Sequence, residues 1–165
     1  MAPELKKVKE YLADCGLADR VLELQEVSAT VEQAAHALHV EPACIAKTIS
    51  FYREGGCLLI VAAGDCKIDN AKFKRTFGKK AKMLAGEDVQ PMTGYPIGGV
   101  CPFANPAQAQ VWLDESLHRF ADVYPAAGTT SSAVRLTCAE LEKVAHSCGW
   151  VDVCKPVRQE GVEAT

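Results

Sequence analysis

Two adjoining stretches constrain the fold more than any other part of the chain. Cys57 to Ala63, CLLIVAA, is an unbroken apolar run, and a short run of this kind suits a strand covered on both faces rather than one. Just before it, Lys47 to Arg53, KTISFYR, alternates with the period of a strand, which puts Lys47, Ile49 and Phe51 on one side and Thr48, Ser50 and Tyr52 on the other. Glu54-Gly55-Gly56 between them reads as a hairpin turn, so the two strands should pair. A doubly covered strand needs elements above and below it. With 165 residues, 48% of them hydrophobic, the chain can build one such layered domain with a real core, and is too short for two of ordinary size.

Helical patterns flank the hairpin. From Pro3 to Cys15, the residues Leu5, Val8, Leu12 and Cys15 recur at helical spacing and Gly16 stands where a C-terminal cap belongs, so residues 1–16 read as an amphipathic N-terminal helix. A short extended piece, Val21 to Leu24, follows. Thr30 with Gln33 three residues on opens a second helix with Val31, Ala34, Ala35 and Leu38 inward, and Pro42 suits the first position of a short third one. Beyond the hairpin, Asp69 can cap a helix that carries Ala71, Phe73 and Phe77 inward and its lysines outward, with Gly78 ending it. Lys82 to Leu84 reads as a short strand and Glu87 to Val89 as a turn of helix. Gln110–Leu113, Asp122–Ala126 and Ala133–Leu136 are further strands. Thr137 and Glu140 form a second capping box, opening a last helix lined by Leu141, Val144, Ala145 and Cys148. Helices first, then about six short strands interrupted by helices with no regular βαβ alternation, is an α+β pattern.

The formal charge of −3 argues against a generally basic nucleic-acid binder, but it conceals an asymmetry. Between Lys67 and Lys82 stand Lys67, Lys72, Lys74, Arg75, Lys79, Lys80 and Lys82 against Asp69 alone. That segment is +6 and the rest of the chain −9. A local cationic surface on an acidic body suits a polyanion held at one place, although a solvated helix face gives the same pattern. Eight cysteines, at 15, 44, 57, 66, 101, 138, 148 and 154, show no C-x-x-C and no metal-ligand spacing, so they read as reduced, mostly buried small hydrophobes, with no metal expected. No run is apolar enough for a membrane span, and the charged N-terminus lacks a signal-peptide core, so a cytoplasmic protein is expected.

Three features are candidates for chemistry. Gly94 to Phe103, GYPIGGVCPF, packs three glycines and two prolines among large apolar residues. Glycine lets a ligand or another chain approach the backbone and proline fixes it, so the stretch reads either as a shaped wall or as a tight connection between core elements. Lys47 shares an apolar strand face, so its ammonium must either reach the surface or be kept inside for a purpose. The row Thr129-Thr130-Ser131-Ser132 after Gly128 either satisfies its own turn or supplies hydrogen bonds to a small polar substrate. His36, His39, His118 and His146 have no supporting motif, and neither a G-x-S-x-G elbow nor a P-loop occurs.

Taken together, VEQAAHALHVEPACIAKTISF, GYPIGGVCPF and AAGTTSSAVRLTCAEL resemble, in order and approximate spacing, the YbaK/EbsC-type aminoacyl-tRNA deacylases, free-standing relatives of the editing domain of bacterial prolyl-tRNA synthetase. The resemblance covers residues 20–155, the expected editing-domain core of a single domain over 1–165, with 156–165 as a loose polar tail. It implies a mixed, mostly antiparallel curved sheet or partly open barrel with surrounding helices. It also implies hydrolysis in trans of a mischarged ester on tRNA, most often a tRNA for proline carrying cysteine, alanine or another small amino acid, as translation quality control. No cofactor or metal is implied; aminoacyl-tRNA is the expected partner and prolyl-tRNA synthetase a second. Lys47 matches the family's essential lysine, orienting the terminal nucleotide or the ester. Gly98 to Pro102 matches the G-x-x-x-P element, with N–H groups from Gly98, Gly99 and Val100 toward the ester carbonyl and their glycines leaving room for the acyl group. Thr48, Pro102, Gly128, Ser131 and Ser132 complete the expected substrate contacts, and Lys67, Lys72, Arg75, Lys79 and Lys80 the expected tRNA contacts. The hydroxyl-only turn leaves the edited amino acid open. A non-catalytic module that binds aminoacyl-tRNA or a synthetase, and a small-molecule regulatory domain that keeps only the fold, are the alternatives.

Overall fold

The computed structural model describes residues 1–28 and 30–157. Its centre is a mixed five-stranded sheet. The expected hairpin is there: β2, Ile45–Arg53, and β3, Gly56–Ala63, pair antiparallel, with Lys47 opposite Ala62 and Ile49 opposite Ile60. From Cys57 to Ala63, β3 is buried throughout, as an unbroken apolar run requires. The sheet then departs from a simple meander. β5, Ala109–Asp114, joins the far side of β3 in parallel, and β8, Trp150–Val151, extends it in parallel again. On the other side, β6, Tyr124–Pro125, pairs in parallel with Ile45 and Ala46 of β2 alone. Two antiparallel ribbons stand apart from this sheet: β1, Val21–Glu23, with β7, Ser132–Val134, and β4, Cys66–Ile68, with β9, Cys154–Pro156. No barrel closes. The fold is α+β, and the strands that sequence reading missed, β4, β8 and β9, are two or three residues long, too short to display a period.

The helices cover the sheet on sides set by their apolar residues. α1, Pro3–Asp14, buries Leu5, Val8 and Leu12. α2, Val31–Leu38, starts at Thr30, whose hydroxyl accepts from the Gln33 N–H at 3.1 Å. α3, Asn70–Phe77, is capped by Asp69 and ended by Gly78 at φ +78°. It sends Phe73 onto Phe51 (ring centroids 5.0 Å), while Phe77 meets Trp112 edge-on (5.7 Å). α4, Gly86–Thr93, is longer than the turn expected, and α5, Cys138–Val144, opens on the full capping box of Thr137 and Glu140. Asp114 is 1% exposed, and its carboxylate accepts from the N–H groups of Ser116 and Val153, both at 2.9 Å. These bonds tie the end of β5 to the loop between β8 and β9. Of the expected loose tail, Pro156 closes β9 and the Val157 N–H donates to Asp65 O at 2.8 Å; residues 158–165 lie outside the described residues. Among the described residues no helix is long and apolar enough to cross a membrane.

Candidate active site

The edge of β2 carries the site. β6 covers this edge at Ile45 and Ala46, and the segment 82–84 covers it again further on, where Leu84 N–H donates to Ser50 O (3.1 Å) and Tyr52 N–H to Lys82 O (2.9 Å). These bonds show that the even-numbered residues of β2 direct their backbone outward, since successive residues alternate. Between the two covered stretches no strand among the described residues pairs with Thr48 on this side. A cleft of about 490 Å³ opens at this gap. Its walls are α2 (Val31, Ala34, Leu38), β2 from Ile45 to Ser50, the loop residues Ile97, Gly98 and Val100, and the turn residues Thr129 and Ser132. Lys47 is half-buried and is the charged residue of this lining; no carboxylate, imidazole or thiol joins it among the described residues.

The glycine-rich stretch is a wall, as one of its two readings had it, with Ile97, Gly98 and Val100 on the cleft lining. Gly94 caps α4 at φ +87°, and Tyr95, wholly buried, donates its hydroxyl to Phe103 O. The Asn105 side chain donates to Thr93 O (2.8 Å) and Cys101 O (3.0 Å), pinning both ends of the loop. Lys7 on α1 donates to Gly94 O at 3.3 Å and sits 4.1 Å over the Tyr95 ring. The Gly99 N–H donates to Pro96 O at 2.9 Å, so it is spent on the turn and does not face the cleft as a donor. The glycines also meet a packing need, beside the acyl space expected of them. A Cβ on Gly98 would lie 2.6 Å from Thr130 Cγ2, and one on Gly99 would lie 2.4 Å from Gly128 O. The glycines let the wall close against the hydroxyl turn. Gly128, at φ +92°, is packed in turn against Glu4 O of α1, 3.0 Å from where its Cβ would be.

The expected site residues therefore divide. Lys47, Thr48, Gly98, Val100 and Ser132 line the cleft; Gly99, Pro102, Gly128 and Ser131 stand behind it as support. Pro102 is buried, and Ser131 gives its carbonyl to Leu24 N–H at 2.8 Å. Ser132 Oγ lies 2.7 Å from Thr129 Oγ1, so the turn satisfies part of its own hydroxyl row. Thr48 Oγ1 and Ser28 Oγ do not share that relief: both are buried with no hydrogen-bond partner among the described residues, and both residues line the cleft. A buried hydroxyl without a partner costs about 1–3 kcal/mol, which a polar ligand group would recover. A lone serine in a loop carries no sequence signal, so Ser28 was not foreseen. Cys101 is fully buried, and burial pushes its thiol up to about 12, which makes it a packed side chain and not a nucleophile.

The basic residues divide as well. Lys72 is held internally, its Nζ donating to Asp152 Oδ1 and to Cys154 O, both at 3.0 Å. Lys67 faces Lys155 across the β4–β9 ribbon. Arg75, Lys79 and Lys80 are exposed on α3 and its exit, and the exit segment leads through Lys82 and Met83 to the cleft.

A family model described as the aminoacyl-tRNA editing domain matches residues 25–144, from the approach to α2 into α5. The chain is 48% identical over 152 residues to the uncharacterized protein YwhH of Bacillus subtilis (strain 168), covering 92% of this chain and 97% of that one. It is 26% identical over 117 residues to the proline–tRNA ligase of Lysinibacillus sphaericus (strain C3-41), covering 67% of this chain and 21% of the ligase. Among solved structures, one reported as "a putative trans-editing enzyme for prolyl tRNA synthetase" superposes with a TM-score of 0.85 at 29% identity, over 94% of this chain and 99% of that one. The match takes in the lysine-bearing strand, the glycine wall and the hydroxyl turn that together build the cleft, and the chain belongs to the aminoacyl-tRNA editing domain family.

Proposed function

We propose that this protein hydrolyses mischarged aminoacyl-tRNA in trans, with the acyl ester seated in the β2 cleft. The observation that carries the reading is the composition of that cleft: one charged side chain, Lys47, among apolar walls and unpartnered hydroxyls, with no carboxylate, imidazole or thiol among the described lining residues. Such a lining suits binding and orientation of an ester and offers no conventional general base. The Lys47 ammonium would hold the terminal phosphate or the ester carbonyl region. Gly98 and Val100 would bring main-chain N–H groups to the same carbonyl, and an oriented water or a hydroxyl or thiol of the substrate would attack. The similarity to a proline–tRNA ligase and to a protein reported as a trans-editing enzyme for prolyl tRNA synthetase supports a tRNA for proline as substrate and prolyl-tRNA synthetase as a second partner; the acyl group we propose is cysteine, alanine or another small amino acid.

The test is a panel of labelled Cys-, Ala- and Ser-tRNA for proline, incubated with the wild-type protein and with Lys47→Ala. Turnover of at least one substrate is expected, reduced about 10²-fold or more by the substitution. Equal activity in the two proteins removes Lys47 from the mechanism. Tight binding without turnover across the whole panel would instead make the chain a binding module.

A further inference from the structure

Among the described residues the large exposed hydrophobic side chains are Met1, Val27, Met83, Ile97 and Val157. Single exposed hydrophobics need no explanation, but Met83 (65% exposed) and Ile97 (69% exposed) both line this one cleft. Neither hangs on a loose backbone. Met83 forms a β-bridge with Phe51, flanked by the two hydrogen bonds that fasten 82–84 to β2. Ile97 stands on the pinned wall, its Cδ1 3.5 Å from where a Cβ on Gly86 would be, so it rests over the start of α4. That start is itself fixed to β2: Tyr52 donates its hydroxyl to Asp88 Oδ2 (2.5 Å) and accepts from the Ala85 N–H (3.0 Å). Leading up to Met83 are the exposed Lys79, Lys80 and Lys82, the last with its Nζ 5.4 Å from the Tyr52 ring.

We propose that Met83 and Ile97 form a clamp for the terminal nucleobase of the 3′ end, and that Lys79, Lys80 and Lys82 receive the phosphates that precede it. The proposal rests on the reading of the cleft as the ester site. An ester seated there hangs from the ribose of the last nucleotide, so ribose and base must lie at the mouth, where an apolar surface takes the face of a base and water does not compete for it. The lysine track decides between occupants. A second copy seated face to face would set the same exposed lysines against one another, whereas a single strand brings an apolar base with a phosphate at each step, matching a rim that is apolar at the cleft and cationic beside it.

The test is a cycle between the clamp and the base. One arm uses a mischarged tRNA and the same tRNA with an abasic terminal ribose; the other uses wild-type protein and the Met83→Ser/Ile97→Ser double variant. Both residues are exposed, so the melting temperature should not move. Removing the base should raise KM for the wild-type protein about tenfold, with kcat little changed, and should cost the double variant almost nothing more. Equal costs in the two proteins overturn the clamp, and so does a change of oligomeric state in the double variant, which assigns the patch to a second copy. The same cycle is run on Kd with a non-hydrolysable 3′-aminoacylamino tRNA. If the wild type binds without turnover, the hydrolytic reading fails while the clamp is still judged by the cycle. Lys79→Ala/Lys80→Ala should weaken binding and flatten its salt dependence; unchanged values refute the phosphate track.

Discussion

Replacing Gly98 by alanine separates two explanations of the glycine wall. Two costs can be worked from the structure. Gly98 has φ +88°, a conformation that costs an L-residue about 1–2 kcal/mol. Its new Cβ would also stand 2.6 Å from Thr130 Cγ2, an overpacking that costs about 1–3 kcal/mol to relax. The sum, about 2–5 kcal/mol, corresponds to about 4–20 °C in melting temperature for a chain of this size. Only the second cost depends on Thr130, because serine at that position keeps the hydroxyl and lacks Cγ2. In a urea-denaturation cycle over Gly98→Ala, Thr130→Ser and both together, Thr130→Ser should therefore return about 1–3 kcal/mol to the Gly98→Ala protein, and part of its deacylation should return with it. If glycine is required for acyl space, Gly98→Ala will instead be inactive while losing only the about 1–2 kcal/mol of backbone strain, and Thr130→Ser will recover nothing. Additivity of the two substitutions to within about 0.5 kcal/mol would refute the packing argument.

Three further outcomes are expected. Thr48→Val removes a buried hydroxyl that has no partner among the described residues, so stability should hold or rise while kcat/KM falls about tenfold; a marked loss of stability on thermal melting would show that the hydroxyl is already satisfied. Cys101→Ala should keep deacylation within a few-fold of wild type, and in the folded wild-type protein a thiol reagent should modify the exposed Cys15 and Cys148 long before Cys101. Asp65 is held below its ordinary value, first by the hydrogen bonds from Arg119. Its stabilisation is therefore complete above the unfolded carboxylate pKa of about 4 and is lost as pH falls below that through the folded value; Asp65→Asn should make acid unfolding less steep there, and an unchanged profile would show that the pair is idle.

The hairpin, its buried second strand, the caps at Thr30, Asp69 and Thr137 and the amphipathic first helix were all legible in the chain, because each is written in neighbours a few residues apart. Lys47 could be marked as a lysine on an apolar strand, and Gly94 to Phe103 as a shaped stretch, for the same local reason. What the glycines are shaped for was not legible: Gly98 meets Thr130 and Gly99 meets Gly128 across about 30 residues of chain, and no pattern near either reports the other. Likewise, the lysines between Lys67 and Lys82 look alike in sequence, yet Asp152 engages Lys72, while Lys79, Lys80 and Lys82 stay exposed on the segment that leads to Met83. The parallel addition of β5, the gap on β2 beside Thr48 and the orphaned Ser28 hydroxyl exist only once distant segments have packed. Local propensity determined which elements form; long-range packing decided which of their polar groups found partners and which of the described ones were left without one beside the cleft.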